Sequence, residues 1–306
     1  KTLFPYTTLF RSNRHVQRGA AGQHHPVTVE IAGRHYERTY SLMQLDADHL
    51  CLTVKKVDQG LVSSWLVEQS KVGDIVYLGQ PYGDMQQHIQ TPNLLLLAAG
   101  SGITPMLSLI ESLSQTKQFS TTSLQLMYWV KTQADAAYAE YLKETAENFS
   151  QFSYQIFYTQ EQDQRLNQSY VDQISALNET TVYACGPSGF VSTAEKLFSC
   201  AALLQTEAFS LSQFDVDASE TGFINVRLTQ SNKTVAIPKG QSILFSLEHQ
   251  GIKPNHGCRM GICNKCACTK AQGSTKNLLN GSANHEPAQL LKICVNSAQS
   301  DLVIDL

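Results

Sequence analysis

Four cysteines near the C-terminal end of the chain constrain its fold more than any other feature. Cys258, Cys263 and Cys266 have the spacing C-x4-C-x2-C, and Cys294 follows 28 positions after Cys266. Thiolates crowded in this way, in a chain with no visible secretory signal, indicate metal binding rather than a disulfide scaffold. Because free thiolates persist in reducing compartments, the sequence predicts a metal-binding unit in a cytoplasmic protein.

The spacing favours an iron–sulfur cluster over zinc. It matches the plant-type 2Fe–2S ferredoxins, in which four thiolates complete the tetrahedral coordination of two irons. Structural zinc, the main alternative, usually shows two close cysteine pairs or a mixture with histidine, whereas Cys294 stands alone. Gly257 and Gly261 suit a loop that wraps a cluster closely. We expect Cys268 to be a packing residue and His256 to be a loop residue.

Length and composition restrict the remaining possibilities. The 306 residues, 42% of them hydrophobic, suffice for two or three domains. A formal net charge of −3 provides no basic field for nucleic acid. The longest apolar run, residues 94–99, is far below the roughly 20 residues of a membrane-spanning helix. We therefore expect a multidomain protein that neither binds nucleic acid nor spans a membrane.

The N-terminal residues are unlike the rest of the chain. Residues 2–12 show no helical or strand period and resemble the translation of a DNA-sequencing adapter. We therefore expect residues 1–12 to be foreign to the natural protein. On this interpretation the first domain, residues 13–90, lacks its opening strand.

The pattern of hydrophobic residues predicts three domains. Residues 13–90 contain short alternating strands and turn residues, which predict an antiparallel β-barrel. In residues 91–205, apolar strands alternate with helical segments, which predicts βαβ units and a parallel sheet. Residues 206–221 are polar without period and are interpreted as a linker. Residues 222–306 contain strands, one short helix near 243–248 and the cysteines, which predicts an α+β domain.

Two short motifs in the first domain suit a phosphate-bearing, planar ligand. Arg38 and Tyr40 project to the same face of a predicted strand, where a guanidinium can bind phosphate and a phenol ring can stack. About twenty residues later, Gly60-Leu-Val-Ser-Ser64 begins a helical segment whose free N–H groups suit a pyrophosphate. An exposed barrel edge is the alternative interpretation of the first motif taken alone.

Two strand–glycine–helix junctions mark the second domain. The first is Gly100-Ser-Gly102-Ile-Thr104-Pro105, in which Thr104 is the expected N-cap and Pro105 the first helical residue. The second is Cys185-Gly-Pro187, expected at the far end of the sheet. Read alone, Cys185 could equally be a small buried hydrophobe.

Together these motifs resemble the ferredoxin–NADP reductase superfamily over nearly all of the chain after residue 20. The resemblance implies an FAD-binding barrel (FMN is the alternative), an NAD(P)-binding α/β domain and a β-grasp ferredoxin domain. It implies Ser41 near the reactive flavin N5 and Cys185 near the nicotinamide as catalytic residues. The implied cofactor-binding residues are Arg38, Thr39, Tyr40, Ser41, Lys55, Gly60, Val62, Ser63, Ser64, Gly100, Gly102, Thr104, Pro105, Lys131, Cys185, Gly186 and Pro187. The implied cluster ligands are Cys258, Cys263, Cys266 and Cys294.

The order of domains resembles the reductase components of multicomponent oxygenases and desaturases. This resemblance implies electron flow from NAD(P)H through FAD and the 2Fe–2S cluster to a partner oxygenase, hydroxylase or fatty-acid desaturase. Lys131 lies where the family reads the adenosine 2′ position, and its charge leans towards NADPH, but NADH remains open. A ferredoxin-type carrier without NAD(P)H oxidation and a zinc-stabilised flavin reductase remain as alternatives.

Overall fold

The computed structural model describes residues 7–11, 19–46, 49–57, 60–83, 85, 91–116, 121–210, 220–257, 261, 264–279 and 281–306. The chain divides into two compact units, Lys1–Phe209 and Ser210–Leu306. Each unit has its own hydrophobic core. Within the described residues, no helix is long and apolar enough to cross a membrane.

The first part of unit one is an antiparallel sheet of five strands in the order β1-β4-β3-β2-β5. The strands are β1 (Thr7–Arg11), β2 (His24–Ile31), β3 (Arg34–Gln44), β4 (His49–Thr53) and β5 (Val76–Leu78). Ala32 and Gly33 join β2 to β3 with φ of 50° and 73°, as a two-residue hairpin turn requires. Val27, Val29 and Leu52 are fully buried, which confirms the predicted alternation.

Strand β1 lies inside the segment that sequence reasoning set aside. Thr7–Arg11 pairs antiparallel with residues of β4 from Thr53 back to His49. Residues 2–12 show no strand period in the sequence, and yet five of them form a strand of the first sheet. Backbone pairing requires no alternation of burial, and threonine, leucine and phenylalanine all suit a strand. That residues 1–12 are foreign to the natural protein stays a prediction.

The second part of unit one is a parallel sheet in the order β10-β9-β6-β7-β8, with β6 parallel to β7 and β9, and β7 parallel to β8. The strands are β6 (Asn93–Ala99), β7 (Ser123–Val130), β8 (Phe152–Tyr158), β9 (Thr180–Pro187) and β10 (Leu203–Ser210). The helices of unit one are α1 (Leu61–Ser64, continued by a π-helical turn to Gln69), α2 (Ile103–Gln115), α3 (Ala139–Asn148), α4 (Gln168–Val171) and α5 (Ser188–Leu197). The predicted βαβ pattern is confirmed. Residues 94–97 are each at most 3% exposed because apolar clusters cover both faces of the sheet.

Strand β10 occupies the beginning of the predicted linker. The sequence analysis assigns residues 206–221 to a linker, but Leu203–Ser210 is a strand of the parallel sheet, and residues 211–219 lie outside the described part. The hydrophobic pattern is absent because the buried position of this strand is a carboxylate, Glu207, which is only 8% exposed.

Unit two contains a mixed sheet in the order β12-β11-β18-β13-β16 and a small sheet in the order β15-β14-β17. The strands are β11 (Phe223–Leu228), β12 (Lys233–Pro238), β13 (Ala267–Gln272), β14 (Thr275–Asn277), β15 (Ala283–Asn284), β16 (Gln289–Lys292), β17 (Asn296–Ala298) and β18 (Leu302–Ile304). Helix α6 (Ile243–His249) begins after Ser242, whose hydroxyl accepts the Phe245 N–H at 3.4 Å. This strand and helix order confirms the predicted α+β domain.

Candidate functional site

The Arg38–Ser41 motif lies in the middle of β3, where that strand changes partners. Residues up to Ser41 pair with β2, and residues from Leu42 pair with β4. Burial raises the pKa of Tyr40 to about 12, and the Arg38 charge acts in the opposite direction. Thr39 Oγ1 is hydrogen bonded to the Tyr82 hydroxyl. The motif therefore holds a charged, an aromatic and a hydroxyl side chain on one strand.

Ser41 is a buried hydroxyl that the described protein leaves unsatisfied. The residue is 5% exposed, and Ser41 Oγ has no hydrogen-bond partner among the described residues. A buried hydroxyl without a partner is unfavourable unless a ligand completes it. Ser41 therefore suits the predicted contact with a bound flavin.

The second predicted phosphate motif begins helix α1 as expected, with Gly60 as its N-cap residue. Ser63 is buried, and its Oγ donates to the Gly60 carbonyl and accepts the Val57 N–H, both at 3.2 Å. The Ser63 hydroxyl therefore holds the preceding loop, and the first-turn N–H groups of Leu61 and Val62 have no intrahelical acceptor. Lys55 is exposed ahead of this loop.

The first nucleotide junction begins its helix earlier than predicted. Gly100–Gly102 forms a 3-10 turn, and α2 begins at Ile103 with Gly102 as its N-cap residue. Thr104 is therefore the second helical residue rather than the N-cap, and Pro105 is the third rather than the first. Pro105 is tolerated because an N–H in the first turn has no intrahelical acceptor, so its absence breaks no bond. Thr104 is tolerated because its Oγ1 donates to the Ser101 carbonyl at 3.0 Å.

The second junction lies beside the first and not at the far end of the sheet. Strand β9 pairs directly with β6, and Ala98 lies opposite Cys185. A Cβ built on Gly102 would be 2.5 Å from the Cys185 carbonyl carbon, and one on Gly186 would be 2.8 Å from Ala99 Cβ. The two glycines thus permit a close backbone approach that no side chain would allow.

This pairing creates a crevice at the carboxyl ends of the parallel strands. Strand β6 has its successor in the chain, β7, on one side and the later strand β9 on the other side. Such a reversal of strand order is where ligands bind in open α/β sheets. The sheet therefore brings both predicted nucleotide motifs to one binding position. Lys131 follows β7 and is exposed, so its predicted role stays a prediction.

Cys185 is fully buried next to this crevice. Its thiol is 0% exposed, and burial raises its pKa well above the usual value, with the charge of Glu207 acting in the same direction. The side chain is therefore a neutral thiol at physiological pH.

Sequence reasoning missed Glu207 and its partner His24. Glu207 Oε1 is 2.5 Å from His24 Nε2, and the two residues are 8% and 1% exposed. His24 lies directly across the β2–β3 ladder from Ser41, so their side chains share one face of the sheet. Ser41, His24, Glu207 and Cys185 therefore form a row: Ser41 lies opposite His24 in the ladder, His24 contacts Glu207, and the charge of Glu207 acts on Cys185. No local motif marks this row, because its members come from four strands.

The metal site is described for two of its four predicted ligands. Cys258 and Cys263 lie outside the described residues. Cys266 and Cys294 are both buried, and their sulfurs are 3.0 Å apart. Two thiols brought this close without a disulfide suit ligands of one metal centre.

The surroundings of these thiols also suit a closely wrapped cluster. Gly261 has φ of 76°, and a Cβ there would be 2.9 Å from Val295 Cγ2. Lys292 Nζ donates to the Gly261 carbonyl at 2.6 Å and so holds the loop. Cys268 is 8% exposed on β13, and burial raises its pKa to about 12, which supports a packing role. The His256 ring lies 3.0 Å from the Pro254 carbonyl, in a loop as predicted.

Comparisons with protein families match all three predicted domains in the predicted order. An oxidoreductase FAD-binding domain matches residues 8–87, an oxidoreductase NAD-binding domain matches residues 96–196, and a 2Fe-2S iron-sulfur cluster binding domain matches residues 226–296. The last match favours iron–sulfur over zinc for the cysteine site.

Similar proteins support the same domain order. An NADPH oxidoreductase of Mycobacterium tuberculosis (strain ATCC 25618 / H37Rv) is 31% identical over 295 residues, which cover 93% of this chain and 76% of that protein. The ferredoxin reductase component of 3-ketosteroid-9-alpha-monooxygenase from Mycobacterium tuberculosis (strain CDC 1551 / Oshkosh) is 25% identical, covering 87% of this chain and 78% of that protein. Among solved structures, phthalate dioxygenase reductase has a TM-score of 0.68 at 23% identity, covering 98% of this chain and 92% of that chain.

Proposed function

Because the chain belongs to the ferredoxin–NADP reductase superfamily, with FAD-binding, NAD-binding and 2Fe–2S domains in that order, we propose that it is the NAD(P)H-oxidising reductase component of an oxygenase system. When bound, FAD accepts a hydride from NAD(P)H and releases its two electrons singly to the 2Fe–2S cluster. The row of Ser41, His24, Glu207 and Cys185 beside the nucleotide crevice is the observation that carries this proposal.

The first sheet and helix α1 supply the flavin contacts in this proposal. Arg38 and the backbone N–H groups of Leu61, Val62 and Ser63 bind the phosphates, and Tyr40 packs against the flat ring. Thr39 holds Tyr82 in place through its hydroxyl. The buried hydroxyl of Ser41 is completed by a polar atom of the flavin, because the described protein offers it none.

The two nucleotide junctions position the nicotinamide. Gly100, Gly102, Thr104 and Pro105 form one wall, and Cys185, Gly186 and Pro187 form the other. The neutral Cys185 thiol is fully buried, so it would back the nicotinamide position without adding a charge beside a ring that changes charge during hydride transfer. Lys131 is proposed to bind the adenosine side.

Glu207 is proposed as a positioning residue for this contact. Burial raises the pKa of Cys185, and the charge of Glu207 acts in the same direction, so the thiol stays protonated. Its contact with His24 Nε2 joins β10 to β2, so the nucleotide sheet and the first sheet are held in one arrangement at the crevice. The burial of this row also excludes water from the place where hydride transfer occurs.

The acceptor of the electrons is proposed to be an oxygenase, a hydroxylase or a fatty-acid desaturase. The similar proteins include reductase or electron transfer components of 3-ketosteroid-9-alpha-monooxygenase and toluate 1,2-dioxygenase. We infer a cytoplasmic location, because the four cysteines proposed as cluster ligands would persist as thiolates in a reducing compartment.

The proposal is tested by the cofactors of the purified protein and by two cysteine variants. The visible spectrum should show flavin bands with a broad iron–sulfur shoulder, and chemical analysis should find iron and acid-labile sulfide. Cys294→Ser should lose the cluster signal and one-electron reduction of cytochrome c, while NAD(P)H oxidation by ferricyanide remains. Cys268→Ser is the matched control, since this buried thiol is not a proposed ligand, and it should keep both activities.

Other results would contradict the proposal in different ways. A colourless, zinc-containing protein would refute the iron–sulfur assignment. Equal loss of both activities in Cys294→Ser would refute the order of centres. A loaded cluster without any NAD(P)H oxidation in the flavin-containing protein would indicate an electron carrier.

A further inference from the structure

The domain that holds the cluster cysteines has a charge opposite to that of the rest of the chain. Residues 222–306 contain nine Lys and Arg against four Asp and Glu, a formal charge of +5. Residues 1–221 contain 14 Lys and Arg against 22 Asp and Glu, a formal charge of −8. The overall charge of −3 conceals this separation. A charged domain around an electron-transfer centre selects partners of the opposite sign.

The positive charge is concentrated around the cluster cysteines in the sequence. Residues 249–285 contain no Asp or Glu, and they contain Lys253, Arg259, Lys265, Lys270 and Lys276. Of these, Lys253 and Lys265 are exposed, five residues before Cys258 and one before Cys266 respectively. Lys292 adds a further charge next to the cluster loop, where its Nζ contacts the Gly261 carbonyl.

Several other charges of this domain are held in internal contacts. Lys270 Nζ donates to the Asn284 carbonyl at 2.8 Å, and Lys276 pairs with Glu220 at 2.9 Å. Glu248 lies 3.7 Å from the His256 ring.

The remaining acids do not offset the charge of the cluster loop. Asp301 accepts the Asn225 N–H at 3.0 Å, and Asp305 accepts the Thr229 hydroxyl at 3.1 Å. Glu286 is exposed, and its charge acts on Lys270. Among the described residues, the exposed charge nearest the cluster cysteines in sequence is therefore positive.

Two exposed leucines lie with Lys292 at a cavity whose lining is otherwise mostly polar. A cavity of about 280 Å³ is lined by Gly261 of the cluster loop, Lys292, Leu279 and Leu290. Leu290 is 68% exposed and Leu279 is 44% exposed, so both leucines are available to a partner. An apolar centre with a charged rim is the usual composition of a protein docking surface.

We infer that the cluster-side basic face, defined as Lys253, Lys265, Lys292, Leu279 and Leu290, docks an acidic protein that accepts one electron from the cluster. Its carboxylates would face the lysines, and its apolar centre would cover the leucines. This inference rests on the proposed function. A nucleic acid would use the lysines but would not cover the exposed leucines, and comparative binding to anionic vesicles distinguishes an anionic membrane from an acidic protein.

The test compares two acceptors that differ mainly in charge. Cytochrome c is basic, and succinylation converts its lysines to carboxylates while keeping the same haem. At low salt the full-length, cofactor-loaded protein should reduce succinylated cytochrome c about tenfold faster than native cytochrome c. Added salt should lower the first rate and raise the second, because it screens attraction and repulsion alike.

Charge-reversal variants locate the effect on the proposed face. Lys253→Glu/Lys265→Glu should remove or invert the preference for the succinylated acceptor. Lys253→Glu alone should weaken that preference. This single variant replaces the double variant in the test if the double variant loses the cluster absorption. Lys143→Glu, an exposed residue of α3, makes a charge change of the same kind in the other unit and should keep the wild-type preference.

The failure of this inference can be distinguished from failure of the proposed function. If the wild-type protein neither reduces ferricyanide with NAD(P)H nor shows the cluster spectrum, the proposed function itself is refuted. With both intact, faster or equal reduction of native cytochrome c would overturn the acidic-partner inference. An equal effect of Lys143→Glu would also overturn it, as would tighter binding to duplex DNA or anionic vesicles than to the succinylated acceptor.

Discussion

Replacing Gly102 with alanine is expected to disrupt nucleotide binding by pushing apart the two strands that form the crevice. The new Cβ would be 2.5 Å from the Cys185 carbonyl carbon and 2.9 Å from the Gly186 nitrogen. Ordinary van der Waals contact begins at 3.4 Å, so the backbone must move by about 1 Å. All of the nearest atoms belong to backbone, which cannot rotate out of the way as a flexible side chain can.

The magnitude follows from this displacement. Overpacking of a close-packed site typically lowers the free energy of unfolding by about 1–3 kcal/mol. Because this clash is between backbone atoms, we expect a loss of about 3 kcal/mol for Gly102→Ala. For a unit of this size that corresponds to a fall in Tm of roughly 6–12 °C. A displacement of about 1 Å between reacting groups lowers the rate about 100-fold. We therefore expect flavin reduction by NAD(P)H to fall by about that factor, with a higher KM for the nucleotide.

Stopped-flow flavin reduction and thermal unfolding measure the two effects. Gly189→Ala is the matched control for stability, because a Cβ at Gly189 has open space and an ordinary φ in α5. That control should leave Tm unchanged or raise it slightly. If Gly102→Ala kept the wild-type Tm and the wild-type KM, the close approach of the two junctions would be wrong.

Three further predictions concern the turn, one histidine and the thiols. Ala32→Asn should raise Tm by a few degrees, because Ala32 has φ of 50° and asparagine tolerates that backbone better; an unchanged or lower Tm would contradict the turn. Burial lowers the pKa of His25, with the nearby His24 acting in the same direction and the Gly79 carbonyl against it. His25 therefore binds a proton less readily in the folded protein than in the unfolded chain. Its contribution to the free energy of unfolding is fully present above about pH 6.5 and is lost as the pH falls from there through the folded pKa. His25→Asn should reduce this pH dependence, as urea titrations at several pH values can measure. Iodoacetamide should label exposed Cys200 in the native protein and leave Cys185 unlabelled, as mass spectrometry of peptides can show, because Cys185 is buried and its pKa is raised.

Local spacing explains why the cofactor motifs could be found without a structure. A cluster loop such as Cys258–Cys266 must bring its ligands together within a few residues, so their separation in the chain is part of the chemistry. A glycine junction such as Gly100–Gly102 likewise follows a buried strand and precedes a helix, and each of these leaves a pattern. The position of the helix start was less predictable, since Thr104 and Pro105 are also acceptable within a first turn.

Pairing between distant strands explains what the sequence could not reveal. His24 and Glu207 are far apart in the chain, and they meet because β10 is part of the nucleotide sheet. A carboxylate at a buried strand position removes the alternation by which strands are predicted, so Glu207 made its own strand harder to predict. Strand β1 was missed for a related reason, because backbone hydrogen bonds that create a sheet edge carry no sequence signature.

The sequence by itself indicated the three-domain order, the proposed cluster ligands and the two strand–glycine–helix junctions, because each depends mainly on residues that are close in the chain. Only the tertiary structure decided that β9 lies beside β6, that Gly102 packs against Cys185, and that Ser41, His24, Glu207 and Cys185 form one row. Strand order and register depend on how whole elements pack, and that packing free energy is shared among many residues rather than stored in a short motif.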